Sequence, residues 1–514
     1  MQNVSQSWKD MRDKTLRGQG DVKIKIYITE DEDNNSIDIP NVTATYQDNR
    51  SKLEELFQED VIYQRYADYG DYDFILDGGT NETSEHYGYV GNEYCTNTTF
   101  TNKPTITIPF KTLQTTKLNG ISIVWSTAFL QYATSYNVKV YAGSTLVTSG
   151  SKTNNTDIRS FLPLNNFANY DKVVIEVNKW SLPNSRCRIE SIVFGEIIEY
   201  GGSDIVTFTH RQTGDILSFD NPSSSVEFEI YNTDDLWNPL NPTGKYKYLH
   251  ERQKIVVSFG FNINGTFEYI PCGKFYLSEW DTPQNGETAT FVATDLFGLM
   301  SDKFVFDPND MVDNKYVFNL HLLAEKCFED SKIPSSKYEI DEALTTMYVA
   351  FETGDLDLSN LDMLKLVANA SCRVLNQDRE GKIKLKAFSR VSTGYSIDRY
   401  NATENANVEA DKVLKTIMIN DKISFETGVL IGEVQTIVNP LIQQLERIRE
   451  ASGYIVNILT KRNKFSGEYR TDLVLDVYDI VNVETKYGNQ RIIITEIENN
   501  FDGTFTGSYK GRQI

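Results

Sequence analysis

The sequence predicts a mainly β protein with some α structure: two small antiparallel barrels, a helix–hairpin unit, and an inserted β-sandwich of jelly-roll type. Three observations predict it. Short alternating runs of β-branched and aromatic residues, separated by Gly, Asn, Ser and Thr turns, recur along most of the chain. Between about Asp77 and Glu199 these runs read as a complete all-β module, while the sequence on either side reads as one continuous, different fold. Helical periodicity takes over only late, between two strand-rich blocks.

Residues 23–28 alternate with period two and predict the first strand. The acidic run Glu30 to Asn34 behind it is a solvated turn, since it lacks the mid-loop Gly and terminal Glu of an EF-hand. Leu53, Leu56, Phe57 and Val61 have helical spacing and predict a short amphipathic helix. These elements form the N-terminal part of the first barrel, residues 1–74. The module, residues 75–199, opens at Leu76-Asp77-Gly78 and closes with the strands 172–177 and 188–195. An autonomous sheet domain set in a loop of another fold reads as an accessory binding head.

The first barrel is completed over residues 200–305. Strands are expected at 204–209, 225–231, 254–259, 267–270, 273–280 and 288–293. Asn264-Gly265 is a type I′ hairpin signal and Asn285-Gly286 marks another turn. In the helix–hairpin unit, residues 306–405, Val317, Leu320, Ala324 and Cys327 share one helical face. Ser359 caps a second helix with Leu361, Leu364, Val367 and Ala368 inward. A hairpin from Arg373 to Leu385 turns at Asp378–Gly381. The second barrel, residues 406–514, holds a third helix starting at Asn439-Pro440, with Leu441, Leu445 and Ile448 on one stripe. Strands at 472–475, 480–483, 491–497 and 504–509 complete it.

Composition bounds the function. A chain of 514 residues exceeds one hydrophobic core, so three or four domains are expected. The net charge of −21 favours solubility and argues against nucleic acid or an anionic membrane as a clamped ligand. Five scattered Cys without CxxC spacing read as buried free thiols. The N-terminus has no basic region followed by an apolar stretch, and no run approaches the ~18 apolar residues of a membrane span, so synthesis in the cytoplasm without a signal peptide is expected. The four His (His86, His210, His250, His321) sit in no HExxH motif, and there is no GxSxG, P-loop or GxGxxG. Carboxylates are too abundant for any one pair to mark a glycosidase. No enzyme and no cofactor are expected.

Three further runs carry a resemblance. They are Leu236-Trp237-Asn238-Pro239-Leu240-Asn241-Pro242-Thr243-Gly244-Lys245-Tyr246 with 254–260, then residues 270–280, then Ala293-Thr294-Asp295-Leu296-Phe297-Gly298-Leu299-Met300. With the Ser359 helix and its hairpin, they make the chain resemble the bacteriophage tail-tip or baseplate hub proteins (the Tal-like family). That resemblance implies two barrels per subunit and a homotrimeric ring that closes the tail tube and conducts DNA without binding it specifically. The implied partners are the distal tail protein, the tail tube and the tape-measure protein, and the implied location is the virion tail. A peripheral receptor-binding or adaptor protein is the alternative, and a glycan-active enzyme the more distant one.

The module resembles discoidin-like, carbohydrate-binding jelly rolls, which implies a host cell-wall polysaccharide as ligand. It departs from them at Gly88-Tyr89-Val90-Gly91, where an aromatic pair is expected and no Trp stands. Sugar binding needs exposed aromatic faces beside hydrogen-bonding side chains. Trp125 shares a strand face with Ile121 and Ile123 and reads as core. Trp180, in a loop near Arg186, is the better contact, with Tyr87, Tyr89 and Tyr94 at the other end. By analogy with such jelly rolls, which often hold a structural ion, calcium would fall at Asp77; no other metal is expected.

Overall fold

The structure is a computed structural model. It describes residues 1–514 apart from 3, 15–16, 29–40, 50, 58–87, 116–117, 128, 243, 284–285, 307–310, 313–314, 352–356 and 472. The acidic turn at 30–34, Val61, Asp77, Tyr87 and Asn285 therefore lie outside the described residues. The chain divides into two compact units. One comprises Met1–Ile24, Tyr200–Tyr246 and Lys254–Ile514; the other comprises Lys25–Glu199 and Lys247–Gln253. Among the described residues strand is the dominant secondary structure, with four α-helices, so the mainly β expectation holds. Among the described residues, no helix is long and apolar enough to cross a membrane.

After helix α1 (Gln6–Arg12) and strand β1 (Gly20–Ile28), a run of strands among the described residues forms the body of the second unit. They are β2 (Thr43–Ala44), β3 (Tyr89–Tyr94), β4 (Thr105–Gln114), β5 (Leu118–Val124), β6 (Ala133–Ala142), β7 (Thr145–Thr153), β8 (Arg159–Phe167), β9 (Tyr170–Trp180), β10 (Arg186–Ile189) and β11 (Ser191–Phe194). One sheet runs β2-β4-β9-β6-β7, a second runs β11-β5-β8, and β10 pairs with β3. Alternation places Tyr136, Val138 and Val140 of β6 and Val173, Ile175 and Val177 of β9 inward, where they meet Ile121 and Ile123 of β5 in one core. Residues before 75 also enter this unit. β2 pairs with β4, and Leu56 of the 3₁₀ turn Leu53–Phe57 is buried in the same core. The expected boundary at residue 75 thus lies too late, because Thr43 and Ala44 have backbone partners at Thr107 and Ile106.

Strand β12 (Glu196–Tyr200) ends this stretch. The first unit then forms β13 (Ile205–Thr213), β14 (Ser223–Tyr231), β15 (Lys254–Ile263), β16 (Thr266–Asp281) and β17 (Thr288–Thr294). Asn264 and Gly265 both have positive φ, 55° and 92°, as the type I′ turn between β15 and β16 requires. Phe228 of β14 lies opposite Phe291 of β17, their rings stacked at 5.3 Å.

The helical region follows: β18 (Met311–Val312), β19 (Lys315–Asn319), α2 (Leu320–Asp330), β20 (Tyr338–Ile340), β21 (Tyr348–Phe351), α3 (Asn360–Ser371), β22 (Val374–Gln377) and β23 (Ile383–Lys386). Ser359 caps α3 by accepting from Asp362 N and donating to its carboxylate at 2.7 Å. Val317, expected on the helix, belongs to β19. Asn319 caps α2 instead, so the helix starts at Leu320.

Next come β24 (Ser396–Ile397), β25 (Asn407–Ala410), β26 (Leu414–Ile419), β27 (Lys422–Glu426), β28 (Glu433–Ile437), α4 (Leu445–Leu459), β29 (Asn463–Tyr469), β30 (Ile480–Thr485), β31 (Gly488–Phe501) and β32 (Phe505–Gln513). The third helix starts at Leu445 rather than at Pro440: Asn439 donates its backbone N–H to Asn420 Oδ1 and its side-chain amide to Leu366 O, which holds 439–442 in a turn. Leu473 has positive φ (67°), and residues 473–475 form buried loop rather than strand. Ile417 and Ile419 of β26 and Ile455 of α4 share one core with α2 and α3, so residues 414–459 join the helical region and not a second barrel.

Two closed barrels are not formed among the described residues. The strands of the two strand-rich blocks lie in one sheet, β1-β15-β16-β17-β14-β13-β31-β32-β29-β25, with β30 beside β31 and β24 beside β30, while β18-β19-β21, β20-β23-β22 and β27-β26-β28 form separate sheets. The reason is the length of β31. One edge pairs with β30 over Gly488 to Ile493 and then with β13 over Glu496 to Phe501, which splices the two strand-rich blocks together.

A buried cation pins the hairpin to both blocks. Arg379, in the β22–β23 turn, donates Nη1 to Pro271 O of β16 (2.9 Å), Nη2 to Leu475 O (2.9 Å) and Nε to Asp476 Oδ1 (2.7 Å). Burial pushes the Asp476 carboxyl up, but opposing charge, led by Arg379, outweighs it and holds the group below its ordinary value. Arg379→Met should cost about 3 kcal/mol, the low end for breaking a buried pair, because the Asp476 side chain stays 23% exposed. A depressed carboxylate stabilises above the unfolded pKa and loses that contribution as pH falls through the folded one. Urea titrations should therefore show the variant's deficit in full at neutral pH and shrinking below the ordinary carboxylate range.

Candidate functional site

The second unit holds the residues expected to contact a ligand, and the fold separates them. Trp180 ends β9 and is fully buried. Its ring meets Trp125 edge-on at 5.8 Å, and its indole N–H donates to Gln131 Oε1 at 2.9 Å. No face of it reaches solvent. Trp125 is core as expected, packed edge-on against Tyr136 at 5.1 Å. Tyr89 is fully buried too; its hydroxyl donates to Thr45 O at 2.9 Å, and burial pushes its pKa well up.

Tyr94 and Arg186 do come together. They are cross-strand partners on β3 and β10, with the guanidinium 4.7 Å from the ring centroid. Arg186 Nη1 also meets Asp48 Oδ2 at 2.8 Å. Tyr94 is 40% exposed, as is Tyr46, whose carbonyl accepts from Asn92 N beside that ladder. An aromatic face, a cation and a carboxylate thus sit at one edge of the unit. Asp48 and Tyr46 carry no sequence signal for this role, because they lie over a hundred residues from Arg186 and reach it only through the sheet.

A Ser–His–Asp grouping occurs in the first unit. His210 Nε2 lies 3.2 Å from Ser224 Oγ, and Asp295 accepts from Ser224 N at 2.7 Å. It lacks the geometry of a nucleophilic triad. Asp295 touches the serine backbone rather than the imidazole, and Asn499 occupies His210 Nδ1 at 3.4 Å. Burial, helped by the Arg379 charge, lowers His210 to about 3, and burial raises Asp295 to about 7. The space beside them is about 10 Å³, room for one water at most. Among the described residues, no group of three or more His, Cys, Asp or Glu is placed to hold a metal.

Comparisons with known proteins place the chain as follows. No family model matches it, and no curated protein does. It is similar to three solved tail proteins. Against the 43 kDa tail protein of prophage MuSo2 from Shewanella oneidensis it has 13% identity and a TM-score of 0.43, covering 62% of this chain and 94% of that one. Against the tail protein of Neisseria meningitidis MC58 the figures are 9%, 0.43, 62% and 94%. Against prophage tail protein gp18 of Listeria monocytogenes EGD-e they are 12%, 0.39, 61% and 91%.

Trp180→Ala should empty a large buried volume and lower the stability of this unit by about 3–5 kcal/mol. Tyr94→Ala, on the exposed edge, should stay within about 0.5 kcal/mol of the parent. Thermal melts of the full chain separate the two.

Proposed function

We propose that the chain is a structural protein of a phage tail tip: a hub that assembles as a homotrimer and carries its second unit as an accessory head. What supports this is the use made of the residues that resemble the hub family. Trp237 donates its indole N–H to Tyr200 at 2.7 Å and packs edge-on against Phe291, which fixes the 236–246 loop to the sheet. Asp295 caps the 3₁₀ turn Leu296–Leu299 and holds the first residues of β14. These residues specify architecture. In this reading the distal tail protein, tail tube and tape-measure protein are its neighbours, and DNA passes without specific contact.

Labelling of intact tails with antibody to the chain should mark the tip, and mass measurement of the purified chain should give three copies. Its absence from particles would refute the reading. With a net charge of −21 the channel-facing side chains should be acidic or neutral, since Lys and Arg would retain phosphates by counterion release. A basic lumen in the assembled tip would contradict that.

The second unit is proposed to bind host cell-wall polysaccharide. Of the five residues expected from sequence, Tyr94 and Arg186 form the usable contact, with Asp48 and Tyr46 as neighbours. A pyranose stacked on Tyr94 could bond to the guanidinium and carboxylate beside it. Three copies would convert a weak contact into avidity. Full-length protein should sediment with Gram-positive cell-wall polysaccharide, and the pair Tyr94→Ala and Arg186→Ala should cut binding at least tenfold. Undiminished binding by that double variant would remove these residues from the site.

A further inference from the structure

The connection between β27 and β28 is the most exposed apolar stretch among the described residues of the first unit. β26 lies between them, antiparallel to β27 and parallel to β28. The link must therefore cross the start of β26, where Thr427 N bonds Lys415 O and Glu433 N bonds Val413 O. The crossing leaves Val429, Leu430 and Ile431 outside, the last two 89% and 87% exposed. Ladder register extends the patch: Ile423, opposite Met418, and Val434, opposite buried Thr416, are 62% and 45% exposed. Glu426 shares the Thr416–Val434 row.

A second apolar face lies on β19 and β21. Tyr316, Phe318, Val349 and Phe351 point into the core. Their alternates, Val317 opposite Ala350 and Asn319 opposite Tyr348, point out, with Val317 40% and Tyr348 61% exposed. Lys315 is exposed on the same face. Leu322 of α2 is also exposed, as is Leu445, whose neighbour Gln444 bonds Tyr348 O.

We propose that these two surfaces meet between copies of this chain, the 427–432 strap of one copy seated on the β19–β21 face of the next. The occupant follows from symmetry and charge. A closed ring of identical subunits uses a heterologous contact, so each copy must present two different patches. This unit presents two, one projecting and one a flat sheet face, and they carry opposite charges in Glu426 and Lys315. The inference rests on the hub reading and assigns its assembly surface.

Mass measurement of the full-length chain over a concentration series tests it. The parent should form the ring. Leu430→Asp with Ile431→Asp should give a monomer, and so should Tyr348→Asp. All three positions are exposed, so circular dichroism and melting midpoint should match the parent. An equimolar mixture of the strap variant and the face variant retains one intact strap and one intact face. It should form a 1:1 dimer and nothing larger. Rings that survive both variants would overturn this surface while leaving the hub reading intact. A parent that stays monomeric throughout would overturn the contact together with the trimer, and tip labelling of intact tails would then decide whether the chain is still a tail component.

Discussion

Arg379 is the interaction on which the first unit turns. A guanidinium has five donors in a fixed fork and cannot shed its charge, so its burial is tolerable only if acceptors converge on it from several directions. Here they come from β16, from the loop before β30, and from Asp476. Asp378 shapes the turn that presents it by accepting from Glu380 N and Lys382 N, and Gly381 adopts φ +77° against Lys274. Gln377 adds two bonds, accepting from Leu296 N and donating to Lys274 O. Three consecutive polar residues of one hairpin thus hold two strand blocks that the chain places far apart in sequence.

The same arrangement sets the charge state of the buried polar cluster. Arg379 lies close enough to depress His210 further than burial alone, so the imidazole stays neutral at any ordinary pH. With the Asn499 amide rather than a carboxylate at Nδ1, nothing beside the ring stabilises the imidazolium that proton transfer from Ser224 would create. Asp295 satisfies backbone amides at the start of β14 and of the 3₁₀ turn, which is a joint between strands. The grouping is a polar core whose members are satisfied by one another.

Local signals were legible in the sequence where the local chemistry decides the outcome. Asn264-Gly265 supplies two positive-φ residues, Ser359 finds its own N–H partner three residues on, and β14 alternates cleanly because one face is buried. The failures share a physical cause in long-range pairing. Val317 satisfies helical spacing and strand alternation equally, and the choice falls to its partner Ala350 on β21. Asn439-Pro440 looks like a helix start, yet Asn439 is held by Asn420 and Leu366. The barrels read as separate because no local signal says that one edge of β31 serves β30 and β13 in turn. Trp180 reads as a loop aromatic, whereas Gln131 and Trp125 draw it inside.

The division between inward and outward apolar residues connects fold to assembly. In β26 and in β19 one face is fully buried, which sets register and strand identity. On β19 the opposite face is free of that duty and could have been polar without loss to the fold. Each fully exposed Leu or Ile forgoes roughly 1.5–3 kcal/mol of burial. Where a sheet already has its core, a second apolar face gains nothing inside the subunit. Its stabilisation is realised only when another surface covers it.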